Sequence, residues 1–170
     1  MAKLKSGLSK CLVVTVILLL FANFTYAQPG LPPKSITVTA TQPIEFGAFV
    51  PTGSGGTIEV DFNGVRTAFG GVVLVEASIC KPAIFEVKLC PGRKVTISYA
   101  PSITISNGSG GSLTLNIGPT EMGVSGSYFM VTTDCNFVTN FRVGGTLIIP
   151  PGVVPTGFYT GVFDITFTQE

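Results

Sequence analysis

The sequence predicts an all-β protein whose antiparallel strands form a sandwich or a barrel. Three observations predict it. Apolar and polar residues alternate with period two along most of the 170-residue chain, clusters of Gly, Pro and Asn interrupt that alternation at strand-like intervals, and no window of about a dozen residues carries the 3.6 period of a helix.

The first residues set the compartment. Lys3, Lys5 and Lys10 precede a nearly unbroken apolar run over residues 11–24, and Thr25-Tyr26-Ala27 then puts a small residue just before Gln28-Pro29-Gly30. That order reads as a secretory signal peptide over residues 1–27. The other reading is a membrane anchor, but the run of about 14 residues is shorter than the roughly 20 needed to span a bilayer. Residues 28–34, with Pro29, Pro32 and Pro33, read as a short extended lead-in, and residues 35–170 as one domain, a common domain size.

Within that domain the alternation can be followed strand by strand. Ile36, Val38 and Ala40 alternate with Thr37, Thr39 and Thr41; Ile58 and Val60 with Glu59 and Asp61; Phe85, Val87 and Leu89 with Glu86 and Lys88. Val95, Ile97 and Tyr99 continue the rhythm, as do Ile103 and Ile105, then Leu113, Leu115 and Ile117. One face of each strand is expected to be buried and the other wet, as in an antiparallel sheet. Asn63-Gly64 reads as a two-residue hairpin turn, with both residues at positive φ. The runs 53–56, 107–111 and 150–152 read as further turns. The closing segment puts Tyr159, Gly161, Phe163, Ile165 and Phe167 on one face, which predicts a central, core-forming strand.

Composition excludes several functions. Three of the ten basic residues lie in the signal segment, which leaves seven against nine acidic residues. Such balance argues against a nucleic-acid or anionic-membrane partner, since both require a basic patch, so the membrane matters only during export. Charged residues make up only 11% of the chain. An exported protein with so little charge is expected to spend its working life paired. There is no histidine, which removes the commonest general base and metal ligand, and no CxxC spacing for zinc. The acids, among them Glu45, Glu59, Asp61, Glu86 and Asp164, mostly alternate with apolar residues as the wet faces of strands. The glycine-rich runs lack the Lys-Ser/Thr of a phosphate loop. No catalytic residue, metal site or cofactor is expected, and the chain does not read as an enzyme.

Cys80, Cys90 and Cys135 remain after the signal segment, in a compartment where disulfides persist. Residues 83–89 read as one strand, so about ten extended residues hold Cys80 and Cys90 roughly 33 Å apart, against a limit of about 7 Å for a disulfide. Cys135 is therefore the better partner for one of the two, leaving one thiol free, unless the chain folds back near Pro82 or Pro91. Three isolated thiols are the alternative.

Two groups of residues also carry a resemblance. Residues 36–41 are followed by Pro43-Ile44-Glu45-Phe46-Gly47-Ala48-Phe49, and Val143-Gly144-Gly145-Thr146-Leu147 precedes Gly157-Phe158-Tyr159-Thr160-Gly161-Val162-Phe163. The chain resembles a family of small secreted bacterial proteins catalogued as domain of unknown function 4402. It is also distantly similar to spore-coat-U-type and chaperone–usher pilus subunits. The resemblance implies an immunoglobulin-like, pilin-like sandwich and a structural subunit of a surface fibre or coat. Its partners would be like subunits, a periplasmic chaperone and an outer-membrane usher. Strand donation fills the groove of such folds, and Ile36, Val38 and Ala40 form a candidate donor; the alternative, which Gln42-Pro43 following at once favours, is the first strand of the chain's own domain. Two features depart from the pilin pattern: the chain ends Phe167-Thr168-Gln169-Glu170 without a penultimate Tyr, and the cysteines do not match the usual pilin pair. A stand-alone secreted binding or adhesive module, using the loops at residues 52–56 and 107–111, is the alternative function.

Overall fold

The alternation becomes ten strands and no helix among residues 36–169, the part of the chain that the structure, a computed structural model, describes. The expected signal peptide and lead-in fall outside those residues. In order the strands are β1 (Thr37–Gln42), β2 (Phe49–Val60), β3 (Arg66–Leu74), β4 (Ala83–Lys88), β5 (Lys94–Tyr99), β6 (Ser102–Ser106), β7 (Ser112–Thr120), β8 (Tyr128–Met130), β9 (Thr139–Ile149) and β10 (Ile165–Gln169). Every pairing between them is antiparallel.

The larger, seven-stranded sheet is organised around β9. Val143 pairs with Ala83 on one flank and Thr120 on the other, and Gly145 pairs with Val60 and Ile117. Thus β4 and β2 follow one another along one flank of β9, while β7 runs along the opposite flank. Outside them lie β1 on β4, β3 on β2, and β6 on β7. A three-stranded sheet, β10-β5-β8, forms the second layer.

The layers meet through aromatic rings. Phe141 of β9 is fully buried and contacts Phe129 at 6.2 Å and Phe167 at 5.1 Å between centroids, while Phe85 of β4 meets Phe163 and Phe167 at 6.1 and 6.2 Å. Val95 and Ile97 of β5 and Leu113, Leu115 and Ile117 of β7 bury alternate residues as the pattern predicts. Each such side chain contributes roughly 1.5–3 kcal/mol.

Three expectations are corrected. The β2–β3 turn is not a two-residue hairpin with Asn63 at positive φ: within it only Gly64 is left-handed, at φ 85°, and among the described residues no non-glycine residue is. The Asp61 carboxylate accepts the Asn63 and Val65 N–H groups, both at 2.8 Å, and Asp61 N–H donates to Val65 O at 3.1 Å. An Asp that caps its own turn favours this three-residue loop with glycine at its left-handed position. Residues 53–56 are not a turn but an irregular stretch inside β2, where its register against β3 shifts between Pro51 and Gly56. There Gly55 and Gly56 approach Gly70 so closely that a Cβ on Gly70 would stand 2.9 Å from Gly55 O, a contact only glycine allows.

The closing strand is the third. β10 begins only at Ile165 and lies at the edge of the smaller sheet, while β9 is the central strand of the larger one. Its buried-face pattern survives in part: Phe167 is buried, Tyr159, Phe163 and Ile165 are half-buried, and Gly161 is exposed against Ile105. The physical reason is a change of partner. Thr160 exchanges two 2.9 Å hydrogen bonds with Ser106 of the larger sheet, and the chain then crosses to pair with β5 in the smaller one.

Candidate binding cleft

That crossing leaves part of the larger sheet without a strand above it. The inner face formed by Ile105, Leu115 and Leu147 is roofed by two irregular segments, residues 43–48 between β1 and β2 and residues 154–163 before β10. Between them lies a cleft of about 990 Å³.

Each wall is anchored through backbone groups. Glu45 and Lys81 exchange N–H···O bonds at 2.8 and 2.9 Å. Arg66 reaches across from β3: its Nη1 donates to Phe46 O at 3.1 Å and to Ser78 Oγ at 2.8 Å, and its Nη2 donates to Val75 O at 2.9 Å. The guanidinium fork thus ties the first wall to the loop after β3. The second wall is held by the Ser106–Thr160 pair, by Tyr159 Oη donating to Pro155 O at 2.6 Å, and by Asn107 Nδ2 donating to Thr156 O at 3.3 Å. Asn107 Oδ1 also accepts the Ser109 and Gly111 N–H groups, at 2.9 and 2.8 Å, so the glycine-rich run 107–111 serves as a β6–β7 turn that braces this wall.

The lining is apolar. Ile44, Phe46, Phe49, Phe85, Val154 and Phe163 face it, and among the described residues lining it only Glu45 is charged. Large side chains on the second wall are left in water: Phe158 is 94% exposed and Val162 85%. Further along the chain, β10 has β5 on one side and no strand on the other among the described residues. The cleft thus has an apolar floor and an exposed apolar rim, and among the described residues no three His, Cys, Asp or Glu side chains come together.

The other expected site residues lie elsewhere. Cys90 is bonded to Cys135, joining the segment after β4 to the one after β8, and Cys80 is a free, half-buried thiol whose Sγ lies 3.6 Å from Gly64 O. β4 runs straight between Cys80 and Cys90, which keeps those two apart. Val38 and Ala40 lie in β1, with Ile36 just before it, and β1 pairs with the chain's own β4. Sequence reasoning did not find the cleft. Its walls are the Pro43-to-Phe49 and Gly157-to-Phe163 motifs that carry the family resemblance, but their meeting across more than a hundred residues leaves no local pattern.

Fold and cleft define a class: an all-β sandwich with an apolar cleft on its larger sheet, roofed by two loops. The chain belongs to the family described as domain of unknown function DUF4402, whose sequence model matches residues 36–168. No curated protein and no solved structure matches it.

Proposed function

We propose that the protein is an exported structural subunit of a bacterial surface fibre or coat, joined to its neighbours by an extended strand that one subunit lends to the cleft of the next. The cleft is the observation that carries this reading. An incoming strand would add main-chain hydrogen bonds along a free edge and place every second side chain on the apolar floor, which is how strand addition combines affinity with specificity. An open apolar cleft and an unpaired edge strand are aggregation hazards for a lone chain, so a periplasmic chaperone that covers them before an outer-membrane usher passes the subunit on fits this reading. The signal-like N-terminus, the low charge and the resemblance to pilus and coat subunits support export and assembly.

The test is to produce the full chain for export, alone and together with any chaperone and usher encoded beside it, and to follow surface fibres and high-mass species. Multimers that need no disulfide between chains are expected. Mature protein that stays monomeric at high concentration without any chaperone would overturn the reading and favour a stand-alone binding module.

A further inference from the structure

Two Asn-Gly pairs lie in turns of this fold, Asn63-Gly64 between β2 and β3 and Asn107-Gly108 between β6 and β7. In such a pair the glycine nitrogen can attack the asparagine carboxamide, because no glycine side chain shields it. The two turns treat that reaction in opposite ways. At Asn107 the carboxamide closes an Asx turn: Oδ1 accepts the Ser109 and Gly111 N–H groups, at 2.9 and 2.8 Å. Two backbone donors on one carbonyl oxygen are the arrangement that steadies a tetrahedral oxyanion. The Gly108 N–H makes no hydrogen bond among the described residues, and Gly108 is exposed with nothing within 4 Å of where its Cβ would stand. The nucleophile is free and the turn is open to water. At Asn63 the nucleophile is held, since Gly64 N–H donates to Asp61 O at 3.0 Å. Oδ1 of Asn63 receives no donor among the described residues. Its Nδ2 faces Asp61 Oδ2 at 3.5 Å, where a second negative charge is disfavoured.

We propose that Asn107 is a self-modifying site, whose conversion to aspartate and isoaspartate releases the second wall of the cleft. The Gly108 nitrogen, losing its proton, bonds to Asn107 Cγ; the Cγ–Nδ2 bond then breaks, and Nδ2 leaves with the proton as ammonia. Water opens the resulting succinimide ring. Opening at Cγ leaves aspartate, and opening at the backbone carbonyl carbon leaves isoaspartate, with an extra methylene in the main chain. Either product loses Nδ2, the donor to Thr156 O at 3.3 Å, and in the aspartate an anionic oxygen faces that carbonyl instead. Asn107 also backs Gly157, where a Cβ would stand 3.3 Å from Asn107 Cβ. The loss thus falls on residues 154–163 and not on the core, and it does not depend on what the cleft receives.

The experiment ages the wild-type protein, disulfide intact, at mildly alkaline pH. Mass spectrometry follows the peptides that hold Asn63 and Asn107, and enzymatic methylation counts isoaspartate. In the folded protein Asn107 is expected to convert about tenfold faster than Asn63 or more. In urea, where each site is merely an Asn-Gly pair, the two rates should converge. A folded protein in which Asn63 keeps pace with Asn107, or a ratio that persists in urea, overturns the assignment. Asn107→Asp tests the consequence. Amide exchange at Ser106 and Thr160, which bond each other at 2.9 Å, should quicken about tenfold, while Leu115 keeps its protection. Exchange at Ser106 and Thr160 that matches wild type would mean that conversion leaves the wall in place. Equal quickening at Leu115 would put the damage in the core, and either result overturns the release.

Discussion

Phe141 of β9 and Phe167 of β10 meet edge-on, with ring planes at 85° and centroids 5.1 Å apart, and this contact joins the two sheets of the sandwich. Phe141 also stacks near Phe129 of β8, so one central residue touches both edges of the smaller sheet. Phe167→Ala should therefore lower unfolding free energy by about 3 kcal/mol, the cost of emptying a buried aromatic site. Thr166→Ala, one residue away on the exposed face, should change it by less than about 0.5 kcal/mol. Urea unfolding of the disulfide-intact protein measures both, and equal effects would mean that β10 does not bridge the layers.

The Cys90–Cys135 bond spans 45 residues and encloses β5 through β8, including most of the smaller sheet. In the chain-entropy account a loop of that size is worth about 4 kcal/mol. Replacing both cysteines by Ala should cost an amount of that order, and replacing Cys80 alone should cost far less. Thiol counting on unreduced, denatured mature protein should find one free thiol. Finding none would mean that Cys80 is itself consumed, by a second chain or a small thiol.

The strands that sit half in the core were legible from alternation alone. β4, β5, β6, β7 and the second half of β2 lie where Val87, Ile97, Ile105, Leu115 and Ile58 placed them, and β1 lies where Val38 placed it although its first five residues are exposed. The strand at the centre of the sheet was not. β9 buries four of the six residues from Val143 to Ile148, all but Thr146 and Ile148, and its Gly144-Gly145 pair breaks the rhythm, so it lacks the polar side that marks a strand. β8 is three residues long, too short for a period to show. The place of β10 at an edge was hidden for a different reason: alternation reports which face of a strand is buried, while position in a sheet depends on partners far away in sequence. The cleft shares that cause, because its two walls are separate loops that only the fold brings together.

Arg66 is the residue whose loss should loosen a cleft wall without touching the core. Its three donated bonds, to Phe46 O, Ser78 Oγ and Val75 O, come from one planar group. Arg66→Ala should cost about 2 kcal/mol, as expected for charged donors to partly buried acceptors. Arg66→Lys should recover less than half of that, because a single ammonium cannot span three acceptors on two segments. Amide exchange localises the effect: protection should fall at Val75 and Ser78 and persist in β5 and β9. Uniform loss of protection would show that Arg66 supports the whole sandwich and not one wall.

The exposed rim gives the sharpest separation between folding and assembly. Phe158, at 94% exposure, and Val162, at 85%, line the cleft, whereas Val153, at 98%, does not. All three are in water in the lone chain, so an Asp at any of them should leave unfolding free energy within about 0.5 kcal/mol of wild type. Only the first two would be covered by a strand in the cleft. Covering a large apolar side chain contributes roughly 1.5–3 kcal/mol, and each 1.4 kcal/mol is a factor of ten in affinity. Phe158→Asp should therefore weaken association of subunits by tenfold or more, Val162→Asp by a similar or smaller factor, and Val153→Asp hardly at all. Sedimentation of the purified mature variants, with unfolding curves taken in parallel, measures the two quantities separately. If Val153→Asp weakens association as much as Phe158→Asp, the subunits meet through the general apolar surface of this loop, and the cleft is not where they join.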